Sequence, residues 1–203
     1  VLDLVESEEV VVVPAFISEG YFTQQVIPRE LGLEGPVTRR GGRVIRYAGP
    51  LGAFEEMPDV ILERVRDLVG ARRLAGRTAL VLLGHGTDLN RNSAGVIYLN
   101  ARRLRERGVF DAVEVGFLDQ EPEIGRVVEE AEAENVVVIP LFIAEGWHTR
   151  ETIPEDLGLE GEVTAREGKT IFYGAPVGTH PSMARLIADR AREAGEREAP
   201  LAR

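Results

Sequence analysis

The sequence predicts an α/β protein that contains a duplicated domain, and three features of the chain lead to this prediction. Residues 8–52 align without gaps on residues 134–178 at a constant offset (Pro140 − Pro14 = 126), and about half of the aligned positions are identical. Several apolar runs of strand length are continuous rather than alternating, as is typical of strands buried on both faces. These runs alternate with segments of helical periodicity, which favours a parallel sheet covered by helices.

The second copy of the repeat contains the full alternation of strands and helices. After the first apolar run, a polar segment provides a helix start with its cap near Asn90 or Asn92. Apolar residues at helical spacing then predict the later helices. The predicted strands are Ala79–Leu83, Ala112–Leu118, Asn135–Ile143 and Thr170–Tyr173, and the predicted helices are Asn92–Arg107, Glu123–Glu134, Thr149–Leu157 and Met183–Glu193.

The first copy supplies only the later elements. Val1 aligns with Val127, inside a predicted helix, so we expect residues 1–76 to be the C-terminal part of a module whose front is missing. Residues 77–203 are expected to form a complete second module. The predicted fold is therefore two duplicated Rossmann-like modules with parallel sheets. The elements predicted in the first module are strands Val10–Ile17 and Val44–Tyr47 and helices Thr23–Leu31 and Met57–Leu68, followed by a linker, Gly70–Arg77.

Composition excludes several classes of function. The chain has 203 residues, 44% of them hydrophobic, and a formal net charge of −10 without a basic stripe, which argues against nucleic-acid binding. It has no cysteine, which excludes disulfides, zinc–thiolate sites and a cysteine-ligated iron–sulfur cluster in this stretch. We find no membrane-spanning segment and no signal peptide, and we expect a cytoplasmic location. Any anionic substrate would need a local cluster of arginines, since the field of the whole protein repels it.

Two of the three histidines follow predicted strands. His85 stands between Gly84 and Gly86 directly after an apolar run, and His148 follows the third strand, 63 residues later (148 − 85 = 63). Ligands of parallel sheets bind at the carboxyl ends of the strands. Neutral imidazoles bind divalent transition metals and accept protons near neutral pH, so the pair predicts a metal-handling site. The alternative for the glycine turn is a phosphate site built from backbone amides.

The duplication provides an internal comparison for the histidines. The first module has Phe22 where the second has His148, and Phe54 where the second has His180. We interpret Phe22 as the packed remnant of a site that only the second module keeps. His180 precedes the last helix and is followed by a proline in its first turn, so we predict a capping or packing role for it.

Polar residues near the two histidines complete the predicted site. Asp119, Glu121 and Glu145 are the candidate carboxylates, and Glu145 is the weakest because the first module keeps the same residue without the histidine. Arginine binds a carboxylate through two hydrogen bonds, which makes it the expected receptor for an anionic substrate. Backbone approach at the glycines and donors from asparagine would add contacts. The predicted substrate-binding residues are Gly84, Gly86, Asn90, Arg91 and Arg150.

Four segments together resemble a known family. LLGHGT followed by NRNS, then VEVGFLDQEPEI, VVVIPLFIAEGWHTRETIP and GAPVGTHPSM, in this order and spacing, resemble the class II tetrapyrrole chelatases. The greatest resemblance is to the sirohydrochlorin cobaltochelatase (CbiX-like) group with its ferrochelatase and nickelochelatase relatives. The resemblance covers the second module nearly end to end and the first through Leu68.

The resemblance implies two α/β modules that face each other across a cleft. It implies ATP-independent insertion of a divalent metal into sirohydrochlorin, a tetrapyrrole with eight carboxylates, with cobalt expected first and iron or nickel as alternatives. His85 and His148 would bind the metal and take the two pyrrole protons. The family often has a glutamate where this chain has Asp119, which leaves either Asp119 or Glu121 in the acidic role.

Two other functions stay open at this point. A chelatase-like module could bind a tetrapyrrole or metal without turnover, as part of a longer protein. A generic phosphate-binding enzyme could use the glycine turn alone, and its binding of a phosphate ester would persist after loss of His148. Self-association of the chain is a further expectation, with no nucleic acid and no membrane as partner.

Overall fold

Two sheets with helices packed on them make up the described part of the chain. The computed structural model describes residues 2–86 and 91–196. The strands are β1 Glu9–Val12, β2 Val37–Arg40, β3 Arg43–Tyr47, β4 Thr78–Gly84, β5 Ala112–Phe117, β6 Asn135–Pro140, β7 Val163–Arg166 and β8 Lys169–Tyr173. The α-helices are α1 Ile27–Leu31, α2 Met57–Val69, α3 Arg91–Arg107, α4 Ile124–Glu130, α5 Ile153–Asp156 and α6 Ser182–Gly195.

Both sheets are built on parallel pairs, as predicted, and β1 pairs in parallel with β3 in the first sheet. The first sheet has the order β1-β3-β2 and the second the order β5-β4-β6-β8-β7. In the second sheet β4 lies between β5 and β6 and pairs with both in parallel, and β6 pairs in parallel with β8. The strand that leads to His85 is therefore central, and all four side chains from Leu80 to Leu83 are fully buried.

Two edge strands were missed, and they add one antiparallel pair to the edge of each otherwise parallel sheet. β2 pairs antiparallel with β3, and β7 pairs antiparallel with β8. Each pair is joined by a two-residue turn with positive φ at both positions, Gly41 and Gly42 in one and Glu167 and Gly168 in the other. The Gly-Gly pair was a readable hairpin signal. Because β2 and β7 are half exposed, they lack the continuous apolar run on which the strand prediction depended.

Three predicted elements were too long, and two predicted helices begin with a π-helical turn. The predicted strands Val10–Ile17 and Asn135–Ile143 end at Val12 and Pro140, where their partners in the sheet also end. The predicted helix Glu123–Glu134 is limited to α4. The predicted helices Thr23–Leu31 and Thr149–Leu157 each begin with a π-helical turn, Phe22–Val26 or His148–Thr152, before the α-helix starts.

Both faces of the second sheet are covered. Alternate side chains of β4 point to opposite sides: Leu80 and Leu82 join a core with α2, α3 and α6, whereas Val81 and Leu83 pack with α4 and α5. This alternation explains the continuous apolar run, since each face of the strand contacts a helix layer.

The two halves exchange their last helices. Helix α2 of the first module packs on β6 and β8 of the second sheet, and α6 packs on β1 and β3 of the first. Arg64 of α2 donates to the carbonyl of Pro176 and to the Thr179 hydroxyl, and Arg190 of α6 reaches the carbonyl of Gly49. One continuous core therefore extends through both halves. The division at residues 76 and 77 stays a prediction about the repeat.

The duplication extends to tight backbone contacts. A Cβ on Gly52 would lie 2.2 Å from the Ile17 carbonyl oxygen, and one on Gly178 would lie 2.0 Å from that of Ile143. Gly178 lies 126 positions after Gly52, and Ile143 lies 126 positions after Ile17. The same close approach therefore occurs once in each copy of the repeat. Among the described residues, no helix combines the length and apolar character needed to cross a membrane.

Candidate active site

The turn after β4 is held against the end of β5. The carbonyl of His85 accepts hydrogen bonds from the amides of Leu118 (3.1 Å) and Asp119 (3.0 Å). Gly86 has φ +76°, and a Cβ there would lie 2.6 Å from Cγ of Gln120. A Cβ on Gly84 would lie 2.9 Å from Ile97. The two glycines are therefore required by space and backbone conformation, and they leave the imidazole half exposed.

Asp119 contacts the imidazole of His85. Its Oδ2 lies 3.0 Å from Nδ1, which also lies 3.2 Å from the carbonyl oxygen of Gly86. Two acceptors around Nδ1 favour the tautomer that has its proton there, which leaves the lone pair of Nε2 for a metal or a proton. Glu121, the other acidic candidate, instead accepts the amide of Glu123 at 3.3 Å.

His148 lies beside His85. The two ring centroids are 5.2 Å apart and the ring planes meet at 78°. The rings of Phe142 and His85 lie nearly perpendicular to each other, with centroids 6.2 Å apart. Both histidines belong to the second module, where His85 follows β4 and His148 follows β6. They meet because these neighbouring parallel strands end at the same edge of the sheet. The structure thus brings His85, His148 and Asp119 together, while their roles stay predictions.

Arg150 is paired in this structure. Its Nε lies 2.9 Å from Oε2 of Glu145, and both side chains are solvent-accessible. An exposed pair of this kind contributes little stability, so a substrate carboxylate can replace Glu145 at small cost.

Two other predicted contacts are only partly described. Asn90 lies outside the described residues, and so does the proposed cap there. Arg91 is the first residue of α3, but its side chain is not described.

His180 is structural, as its sequence position indicated. It is buried; its Nε2 lies 3.0 Å from Asp67 of α2, and its Nδ1 lies 2.7 Å from the hydroxyl of Ser182. These bonds join the start of α6 to the neighbouring helix.

Within residues 2–86 and 91–196, no three His, Asp or Glu side chains form a preformed metal cluster. The His85–His148 pair is instead an open donor set with room for further ligands. Two imidazoles suit divalent cobalt, nickel and iron, and a sparse site suits an ion that is passed on to a substrate.

Three residues around His148 were not predicted from the sequence. Phe142 contacts His85, the Thr149 side chain binds Gly146, and the Tyr173 hydroxyl binds the Thr149 carbonyl. Burial raises the pKa of Tyr173, which keeps the hydroxyl neutral. The signal was present in the repeat, since the Gly-x-x-Thr pattern occurs at the same place in both copies.

The chain is similar to a known protein family and to proteins of known name. The family model described as CbiX matches residues 2–68 and 79–194. The chain is 41% identical to a probable sirohydrochlorin cobaltochelatase of Halobacterium salinarum, over 96% of this chain and 75% of that protein. It is 35% identical to a sirohydrochlorin cobaltochelatase of Methanopyrus kandleri, over 57% of this chain and 96% of that protein.

A solved structure has the same fold. DR2241 from Deinococcus radiodurans, described as a multidomain protein with structural similarity to chelatases and two additional novel domains, superposes with a TM-score of 0.82 at 34% identity. The match covers 98% of this chain and 44% of that one, so this chain spans less than half of the larger protein.

Proposed function

We propose that this chain, which belongs to the CbiX family, inserts a divalent metal ion into sirohydrochlorin without ATP. The observation that supports this proposal is the pair of imidazoles 5.2 Å apart, with Asp119 on one of them. Cobalt is the metal we expect first, since the relatives of Halobacterium and Methanopyrus are cobaltochelatases by name. Iron and nickel bind the same donors and are the alternatives.

In the proposed reaction the metal is a substrate. Nε2 of His85 and the ring of His148 bind the ion and present it to the macrocycle. Two pyrrole N–H groups each lose a proton, the four pyrrole nitrogens bind the metal, and the imidazoles take up the protons and release them to water. General-base help of this kind contributes about 10²–10⁴-fold in rate.

Asp119 would serve His85 in two ways. Its hydrogen bond to Nδ1 keeps the lone pair on Nε2, and its charge stabilises the imidazolium that forms when Nε2 takes a proton. The net charge of −10 attracts divalent cations, and it makes Arg150 important for a substrate with many carboxylates.

The test is anaerobic incubation of the chain with sirohydrochlorin and Co²⁺, followed by the change in absorbance as metal enters the ring. We expect insertion by the wild-type chain and loss of insertion in the His85→Ala, His148→Ala double variant. Phe22→Ala is the matched control, because it truncates the counterpart of His148 in the first module. Equal rates in the double variant and the control would show that the histidines are not the site.

A binding module without turnover is the second candidate. It is motivated by the length of DR2241, of which this chain spans less than half. Tight sirohydrochlorin binding without metal insertion, by the chain and by the longest natural form of the protein, would favour it.

Repeating the insertion assay with Fe²⁺ and Ni²⁺ ranks the three metals as substrates. A cytoplasmic location and self-association stay predictions.

A further inference from the structure

The loop that presents His148, residues 146–149, is closed by one side chain. The Thr149 hydroxyl donates to the carbonyl of Gly146 (3.0 Å) and accepts the amide of the same residue (3.0 Å). This side chain is buried, whereas Trp147 at the tip of the loop is 75% exposed. Because His148 is also exposed, packing does not hold it in place. The backbone that Thr149 closes sets the point from which this side chain projects.

The closed loop is attached to the sheet through Tyr173. This residue ends β8, pairs with Val138 of β6 and packs against the core on the α4 and α5 side of the sheet. Its hydroxyl donates to the carbonyl of Thr149 at 2.9 Å, directly after His148. The bond connects an exposed loop to an interior strand of the second sheet.

The first module contains the same set of hydrogen bonds around a loop that has no histidine. Thr23 closes the loop on Gly20 through bonds of 2.9 and 3.2 Å, and the Tyr47 hydroxyl donates to the carbonyl of Thr23 at 2.8 Å. Phe22 stands in place of His148 and is 58% exposed. The chain therefore provides its own control, in which the backbone device is present and the imidazole is not.

We propose that Thr149 and Tyr173 are positioning residues that set the distance between His148 and His85 for metal insertion. This proposal rests on the proposed function. A metal held by two imidazoles needs both lone pairs directed at one point, and a displacement of about 1 Å can lower a rate by about 10²-fold. Tyr47 and Thr23 form the same bonds but position no imidazole, so their loss leaves the reaction unaffected.

The first test compares Tyr173→Phe with Tyr47→Phe by NMR of the histidine ring protons. With three histidines in the chain, the ring resonances are few and can be assigned by His→Gln variants. His85 and His148 lie within each other's ring currents, and His180, which is buried and bonded to Asp67, serves as the reference. We expect Tyr173→Phe to shift the His85 and His148 signals but not that of His180. Tyr47→Phe should move none of the three.

The second test measures insertion of Co²⁺ into sirohydrochlorin by both variants. Tyr173→Phe should lower kcat by about 10- to 100-fold with KM for sirohydrochlorin unchanged, and Tyr47→Phe should leave both constants unchanged. Thr149→Val and Thr23→Val provide a second matched pair if Tyr173→Phe does not fold.

Three outcomes overturn the proposal. They are unshifted His85 and His148 signals in Tyr173→Phe, a wild-type kcat in that variant, or an equal loss of kcat in Tyr47→Phe. If the wild-type chain inserts no metal, the proposed function fails, and the NMR comparison alone then decides whether Tyr173 positions His148.

Discussion

The loops that follow β1 and β6 are two versions of one structure. Each is closed by a threonine on a glycine, and each is tied to a tyrosine of the neighbouring strand. In the first module the loop presents Phe22, which stacks on Phe16 with ring centroids 6.5 Å apart. In the second module it presents His148 beside His85. The backbone is shared, and the difference in chemistry depends on a few side chains.

This comparison shows that the fold does not require the candidate site. The loop in the first module keeps its hydrogen bonds although it has a phenylalanine in place of the histidine. Even the ion pair has a neutral counterpart, since Gln24 donates to Glu19 at 3.0 Å where Arg150 binds Glu145. Substitutions at the loop tips can therefore change function without disturbing the core.

The largest expected effect comes from making the second loop like the first. We expect His148→Phe to lower the rate of metal insertion by about 10²–10⁴-fold while leaving the fold intact, because Phe22 already occupies the same backbone in the first module. Absorbance assays measure the rate, and circular dichroism and thermal unfolding check the fold. Phe22→His is the reciprocal control and should leave the insertion rate unchanged. A His148→Phe chain that inserts metal normally would remove His148 from the site.

The tight glycine contacts test whether the two halves are equally constrained. Gly178→Ala and Gly52→Ala each place a methyl group within about 2 Å of a backbone carbonyl, so each should lower the free energy of unfolding by about 3 kcal/mol or more. Urea unfolding measures both values. Gly125→Ala, with open space at its Cβ in α4, is the control and should not destabilise. A large effect at Gly178 but not at Gly52 would mean that only the second half is held rigidly.

Loss of the Arg150–Glu145 ion pair next to His148 should weaken substrate binding without slowing turnover. Arg150→Gln copies the first module, so the loop should keep its shape while the substrate loses a charged partner. We expect KM for sirohydrochlorin to rise about tenfold with kcat unchanged, in line with the loss of a charge-assisted hydrogen bond. Arg102→Gln removes the same charge from an exposed pair with Glu106 on α3 and should have little effect. Equal increases in the two variants would assign the effect to overall charge instead.

The smallest effect concerns the two tyrosines in alkaline solution. Burial raises the pKa of both Tyr47 and Tyr173 above the ordinary value of 10.0, and the shift is larger for Tyr173. Since the folded-state pKa is raised, the stabilising contribution is complete below pH 10 and declines as the pH rises above it. Ultraviolet titration, assigned with the Tyr→Phe variants, should show Tyr47 ionising before Tyr173. The reverse order would mean that the first loop is the more tightly enclosed one.

Much of the fold could be predicted because its signals are local. The apolar run Ala79–Leu83 indicated a strand buried on both faces, and the structure confirms it. The edge strands β2 and β7 were missed because they are half exposed and resemble polar loops. The π-helical turns were missed because their residues have ordinary helical spacing, and only the hydrogen bonds of the folded loop distinguish them.

The candidate site was predictable in its residues but not in its geometry. His85 and His148 were recognised from their positions after strands, and the repeat singled out His148 through Phe22. Which of Asp119 and Glu121 lies against His85 could not be predicted, because both lie on the same short loop. Only Asp119 reaches the ring of His85. The roles of Thr149 and Tyr173 depend on a contact between residues 24 positions apart, which no local pattern reports.

By itself, the sequence determined the duplication, the parallel core and the candidate residues of the site, since repeats, apolar periodicity and side-chain chemistry are properties of the chain. Tertiary structure alone decided three other features. These are the exchange of α2 and α6 between the sheets, the 5.2 Å separation of the two imidazoles, and the partner of His85. The physical reason is that such distances depend on how neighbouring strands end and pack, and residues remote in the chain fix them together.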